Sequence, residues 1–212
     1  ISYDPGTASF HMDLGQLAGS MAELNRGIAL DPLNPHYQMV QGSLYLRQGD
    51  VKAGVAALQQ ALSLEPYQQL GYQQVAEAFY RIGESLYQAG KTDEAKVYLE
   101  TVLRTHESME ERADQIPAGL PRASRLNPSA PPLALAVGRA QALLGDWQQA
   151  VSTLALAAKD QATSQEASIW LAALFTAQRD TKRALPYLVK VEAAGQDSKT
   201  RYATVLSMLI QP

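Results

Sequence analysis

The side chains able to do acid–base or metal chemistry are few and scattered. Glu107, Glu110, Glu111 and Asp114 cluster within one stretch, and paired carboxylates can exchange protons or hold a cation. Arg112 stands among them and no apolar cleft is predicted there, so a solvated helix face is the preferred reading. The histidines, His11, His36 and His106, lie far apart without metal-ligand spacing. His106 falls on an apolar stripe and reads as a packed or hydrogen-bonded core histidine. Ala89-Gly90-Lys91-Thr92 resembles the end of a phosphate-binding loop. That loop needs a glycine where Ser85 stands and a strand where a helix is expected, so the segment reads as an interhelical turn. No Gly-x-Ser-x-Gly elbow occurs, and zero cysteines exclude disulfides, thiolate–zinc sites and thiol catalysis. The residues predict no catalytic, metal or cofactor site, and the chain is not read as an enzyme.

Composition narrows the partners. The 212 residues carry a formal charge of −3 with no basic stripe, which argues against nucleic acid. No run of about 18 apolar residues exists to cross a bilayer, and the most apolar stretch, Ala130 to Gly138, is short and holds a double proline. The chain starts at Ile1 rather than Met, so it reads as a fragment or processed product, with room for a membrane segment or signal outside it.

What positions the side chains is a repeat. The Leu-Glu-Pro ending at Pro66 echoes the Leu-Asp-Pro ending at Pro32, 34 residues upstream, and that spacing signals helix–turn–helix units. In 35–68, Gly42, Tyr45, Gly54, Leu58, Ala61 and Pro66 occupy positions 8, 11, 20, 24, 27 and 32. The same slots hold Gly83, Leu86, Ala95, Leu99 and Val102 in 76–109, and Gly138, Ala150, Leu154 and Ala157 in 131–164. Residues 165–198 supply Ala172, Phe175, Ala184, Leu188 and Val191, while 1–34 is a degenerate unit with Ala8, Ser20, Leu24, Leu30 and Pro32. Small residues at positions 8 and 20 let two helix backbones approach, and larger neighbours fill the space beside them. The turns Gln48-Gly49-Asp50, Ala89-Gly90-Lys91, Leu144-Gly145-Asp146 and Gln178-Arg179-Asp180 recur in step. Glycine suits a left-handed helix end, and Asp50, Thr92 and Asp146 are expected to cap the helices that follow.

Two departures break the register. The third unit starts at 76, seven residues later than the period requires, and "YQQLGYQQVAEAFYRIGESLYQAG" absorbs the excess as about two helical turns. Its partner is lengthened as well: Ala95, Leu99, Val102, His106, Met109, Ala113 and Ile116 form one stripe, predicting a helix from about Asp93 to Ile116. Prolines 117, 121, 128, 131 and 132 then mark an irregular connection, either hinge or packed loop. The expected organisation is an N-terminal repeat group over 1–116 (units 1–34, 35–68 and the lengthened 69–116), a Pro-rich connection over 117–130, a C-terminal group over 131–198, and a terminal or capping helix over 199–212.

These slots and turns resemble the tetratricopeptide repeat (TPR), with Gln38 in place of a large aromatic at position 4. The resemblance implies an all-α fold, a TPR-like α-solenoid of antiparallel helix pairs with one elongated central hairpin. It implies that positions 2, 5, 9, 12 and 13 of each unit face a groove for a partner. Those positions hold His36, Met39, Leu46 and Arg47, then Glu77, Tyr80, Glu84, Tyr87 and Gln88, then Leu135, Arg139 and Leu143. Tyrosines there suit peptide or glycan contact, although packing of Tyr80 and Tyr87 against the neighbouring hairpin is slightly preferred. The lysine–asparagine clamp for a chain-end carboxylate is missing, since Met39, Ser43, Tyr80 and Glu84 hold its positions.

The order of "LDPLNPHY", "LEPYQQLGY", "THESMEERADQIP" and "LALAVGRAQALLGDWQQAVSTLALAA" also resembles the soluble C-terminal region of bacterial O-antigen ligase/polymerase-like membrane proteins. There the glycan-transferring residues belong to the membrane part, so none maps onto this chain. The expectation is a non-catalytic scaffold for a protein or peptide, or for a polysaccharide, with no cofactor. It would sit on the extracytoplasmic face of a bacterial membrane as part of a larger membrane-embedded protein. A free-standing cytosolic adaptor for a peptide and a glycan-binding module are the alternatives.

Overall fold

The computed structural model describes residues 14–116 and 126–210, with the side chains of 14–20 and Arg47 left aside. Ala8, His11, Pro117 and Pro121, read above from the sequence, lie outside the described residues. The described residues form helices and turns only, in antiparallel hairpins, which is the TPR-like all-α fold class that the period predicts. The chain divides into two compact units, Ile1–Pro66 and Tyr67–Pro212.

In the first unit lie α1 (Leu14–Leu30), α2 (Pro35–Gln48) and α3 (Val51–Leu64). Asn34 starts α2 by accepting a bond from the His36 N–H at 3.1 Å, with Pro35 at the first helical position, where its missing N–H costs nothing. Gly49 ends α2 at φ 82°, and Asp50 caps α3 by accepting from the Ala53 N–H at 3.1 Å. Leu24 and Leu44 form a core with Met21, Ile28, Tyr37 and Val40, while Leu58 and Ala61 are fully buried in the α2–α3 hairpin.

The small slots are where α2 and α3 touch. A Cβ on Gly42 would lie 2.6 Å from Leu58 Cγ and 2.9 Å from the Gly54 carbonyl oxygen. The side chain can yield, but the backbone oxygen can do so only by separating the helices. Gly42→Ala is therefore expected to destabilise the chain by about 2 kcal/mol. A urea midpoint, followed by helical circular dichroism and equal to wild type, would refute the close approach.

The second unit holds α4 (Gln69–Gln88), α5 (Thr92–Asp114), α6 (Pro131–Leu143), α7 (Trp147–Ala157), α8 (Ser164–Ala177), α9 (Thr181–Ala193) and α10 (Gln196–Ile210). At 20 and 23 residues, α4 and α5 make the elongated hairpin, against 13 and 11 for α6 and α7. The apolar stripe does the lengthening, since Ala95, Leu99, Val102 and Met109 of α5 are all fully buried. Gly83 and Gly138 repeat the Gly42 arrangement against Leu99 and Leu154.

Asp146 and Asp180 cap α7 and α9 as Asp50 caps α3. Thr92 differs from expectation: it is the first residue of α5, preceded by Lys91, which provides no side-chain cap. Residues 89–91 form the α4–α5 turn, with Gly90 at φ 76°. In the α8–α9 turn Arg179 occupies the left-handed conformation at φ 59°, which Gly49, Gly90 and Gly145 take in the α2–α3, α4–α5 and α6–α7 turns. At the C-terminal end of the connection, the Asn127 N–H donates to Gln69 Oε1 at 3.0 Å, and Leu126 and Ala130 are buried while Asn127 and Ser129 are exposed.

Candidate functional site

α4, α6, α8 and α10, the first helices of the second unit's repeats, contribute charged and aromatic side chains to one cluster. Arg139 of α6 is buried at 6% exposure, and its guanidinium lies 3.9 Å from the Tyr80 ring centroid. It bonds the Glu77 carboxylate of α4 and stands 3.9 Å from Glu166 of α8. From α10, Arg201 Nη2 reaches Glu84 at 2.7 Å and Glu166 at 2.8 Å, and its Nε donates to Glu166 at 3.0 Å. The Tyr80 hydroxyl donates to Glu84 at 2.6 Å, and Trp170 Nε1 donates to Glu166 at 3.0 Å. The Tyr80 and Trp170 rings meet edge to face at 6.3 Å. Each buried or half-buried charge thus meets an opposite charge, as charges removed from water require.

The electrostatics follow. Burial opposes the Arg201 charge, but hydrogen bonding and attraction from Glu166, then Glu84, outweigh it and hold the guanidinium protonated more firmly than usual. Burial pushes the Tyr80 hydroxyl well above the ordinary tyrosine range; Arg139 pulls it down and Glu84 pushes it further up. The folded chain therefore keeps a proton that the unfolded chain releases near pH ~10. Stability from this group is complete below that pH and declines as pH rises toward the folded value. Wild type is expected to lose more stability than Tyr80→Phe between about pH 9 and about pH 11; equal losses in urea titrations would refute it.

The sequence-predicted residues divide. Glu77, Tyr80, Glu84 and Arg139 come together, bonded mainly to one another. Tyr80 is fully enclosed, Tyr87 is half-buried and Gln88 exposed at the end of α4. Leu135 packs half-buried against Ala134, Ala157 and Ala167, and Leu143 is buried. In the first unit His36 is exposed, Met39 is buried, and Leu46 lays a methyl where a Gly54 side chain would start. The Arg47 side chain lies outside the described residues.

Glu166, Trp170 and Arg201 were missed. Glu166 holds position 2 of its unit, the slot that selected Glu77, so the same rule reaches it. Arg201 gave no signal, because it lies on the helix read as terminal or capping, outside the units whose positions were counted. Glu107, Glu110, Glu111 and Asp114 are exposed, and His106 Nδ1 lies 3.6 Å from Glu110. Among the described residues no group of three or more His, Asp or Glu side chains is placed to hold a metal ion, and no helix is long and apolar enough to cross a membrane.

Two tetratricopeptide-repeat family models match the chain, one over residues 6–70 and another over 77–107. No curated protein matches it. Among solved structures it is similar to a thermophilic TPR protein of Thermus thermophilus, with 25% identity, 92% of each chain covered and a TM-score of 0.60. It is also similar to MamA, with 14% identity, 92% of this chain and 99% of that chain covered, and a TM-score of 0.62. The periodic slots, the hairpins packed through them and these matches agree: the chain carries tetratricopeptide repeats.

Proposed function

We propose that the chain is a non-catalytic scaffold that holds a peptide or protein segment against the first-helix face of its second unit. The observation that carries this reading is the charged cluster. Arg139 and Arg201 tie α4, α6, α8 and α10 together, so the face is ordered before a partner binds. A surface already ordered has less freedom to lose on association. Tyr87, Gln88 and Leu135 leave ring, amide and aliphatic surface for contact. Glu77, Glu84 and Glu166 are matched by Arg81, Arg139 and Arg201, so shape and hydrogen bonding, rather than net charge, select the partner.

Peptides selected from a random library on the immobilised chain test this. Tyr87→Ala is expected to weaken them about tenfold or more without lowering the melting temperature; wild-type affinity would place the partner elsewhere. On the first unit the separate proposed contact is left with His36 and Arg47, because Met39 is buried and Leu46 packs against Gly54; Arg47→Glu should weaken a peptide bound there, and wild-type affinity would count against it. For a polysaccharide partner, Tyr87 offers the ring, because Tyr80 is enclosed.

The sequence layout resembling O-antigen ligase/polymerase-like proteins is what favours an extracytoplasmic accessory role, and the repeat matches are equally consistent with the alternative, a free-standing adaptor. The flanking coding sequence separates them: several apolar spans of about 20 residues for the first, none for the second.

A further inference from the structure

Between α8 and α9 lies a half-open cavity of about 240 Å³ lined by Ser164, Gln165, Ser168, Ile169, Lys190, Val191 and Ala194, none of them a member of the charged cluster. Its volume is below the ~300–1,000 Å³ of drug-sized sites. It exceeds the roughly 150 Å³ apolar hole that accepts benzene in an engineered core. It therefore suits a group of a few heavy atoms.

Three observations give the wall its chemistry. Ser168 is 2% exposed, and its hydroxyl oxygen is buried with no hydrogen-bond partner among the described residues. A helical serine ordinarily bonds the carbonyl four residues back, and a buried polar group left unpaired is costly. The neighbouring Gln165 amide is held in place by donating to Ser198 Oγ of α10 at 2.8 Å. Lys190 is the single formally charged residue of the lining, and it makes no ion pair among the described residues; its Nζ lies 5.7 Å from the Tyr187 ring centroid.

The first turn of α8 and the last turn of α9 both border the cavity, so their opposite dipole ends offset each other and leave Lys190 as the deciding charge. Ile169, Val191 and Ala194 supply aliphatic surface beside it. We infer that this cavity binds a short aliphatic carboxylate, from a free acid or from a peptide chain end, with the carboxylate on Lys190 and Ser168 and the alkyl part on Ile169, Val191 and Ala194.

This goes beyond the scaffold reading and stands or falls separately from it, because the cavity shares no residue with the Tyr87 face. The test is an amide-resolved NMR titration of the whole chain with propionate, N-acetylalanine and the uncharged propionamide. Saturable shifts confined to the α8–α9 cavity are expected with either acid at about 1 mM, and at least tenfold weaker with propionamide. Propionate binding alone identifies a free acid, and preference for N-acetylalanine a chain end; both support the carboxylate. Lys190→Gln is expected to weaken binding at least fivefold. Ser168→Ala should weaken it while leaving the melting temperature unchanged or higher, because it removes an unpaired hydroxyl. Equal binding of propionamide, wild-type affinity in Lys190→Gln, or no saturable shift up to about 50 mM would overturn the assignment.

Discussion

Replacing Arg139 by alanine is expected to cost the second unit about 3 kcal/mol. The side chain is 7% exposed and meets Glu77, Glu166 and the Tyr80 ring, so truncation removes an ion pair and leaves a void against the ring. A further part of the cost falls on the carboxylates that remain: Glu77, 33% exposed, is left with the exposed Arg81 alone, and Glu166, 26% exposed, with Arg201 alone. Glu77→Gln should cost less, because the amide oxygen can still accept from Arg139 and no carboxylate is stranded. Equilibrium urea unfolding followed by tryptophan emission checks the pair, since both tryptophans, Trp147 and Trp170, lie in this unit. A loss below about 1 kcal/mol for Arg139→Ala would mean that the cluster behaves as a surface ion pair.

Trp170→Ala is expected to be more damaging, at about 4 kcal/mol. The indole is fully buried, meets Tyr80 edge to face, donates to Glu166 and lies beneath the Arg201 guanidinium at 5.9 Å. Its removal opens a cavity and releases the carboxylate that Arg201 uses. Trp170→Phe should recover most of the packing but not the Nε1 bond, placing its loss between zero and that of alanine. If phenylalanine proved as costly as alanine, the hydrogen bond rather than ring volume would dominate, contrary to the packing account.

The sequence carried the hairpins because their determinants are local. Gly42, Gly54 and Leu58 are spaced within one unit, and the contact they specify, a backbone oxygen 2.9 Å from an absent Cβ, follows from that spacing. Gly49 and Asp50 end one helix and start the next by bonds three to five residues long. The seven extra residues of the third unit likewise announced the long α4–α5 hairpin.

The cluster was less legible. Arg201 and Glu84 are 117 residues apart, and nothing in the period says how far α10 reaches across to α4. Position rules chose Glu77, Tyr80, Glu84 and Arg139 for one face, but not whether they would turn toward a partner or toward each other. Pairing decided that: an arginine 6% exposed has to find carboxylates, and it finds those of the adjacent first helices. Arg179 shows the converse limit, where register marked a turn and the geometry held although the residue is not glycine.

Hydroxyl-radical footprinting of the chain with and without a saturating selected peptide tests the first-helix face most directly. Protection of Tyr87 and Leu135 is expected, with Leu185 and Val189 of α9, 59% and 60% exposed, oxidised equally in both states. Protection of Leu185 and Val189 with Tyr87 and Leu135 unchanged would contradict the account, since the partner would then lie on the second helices.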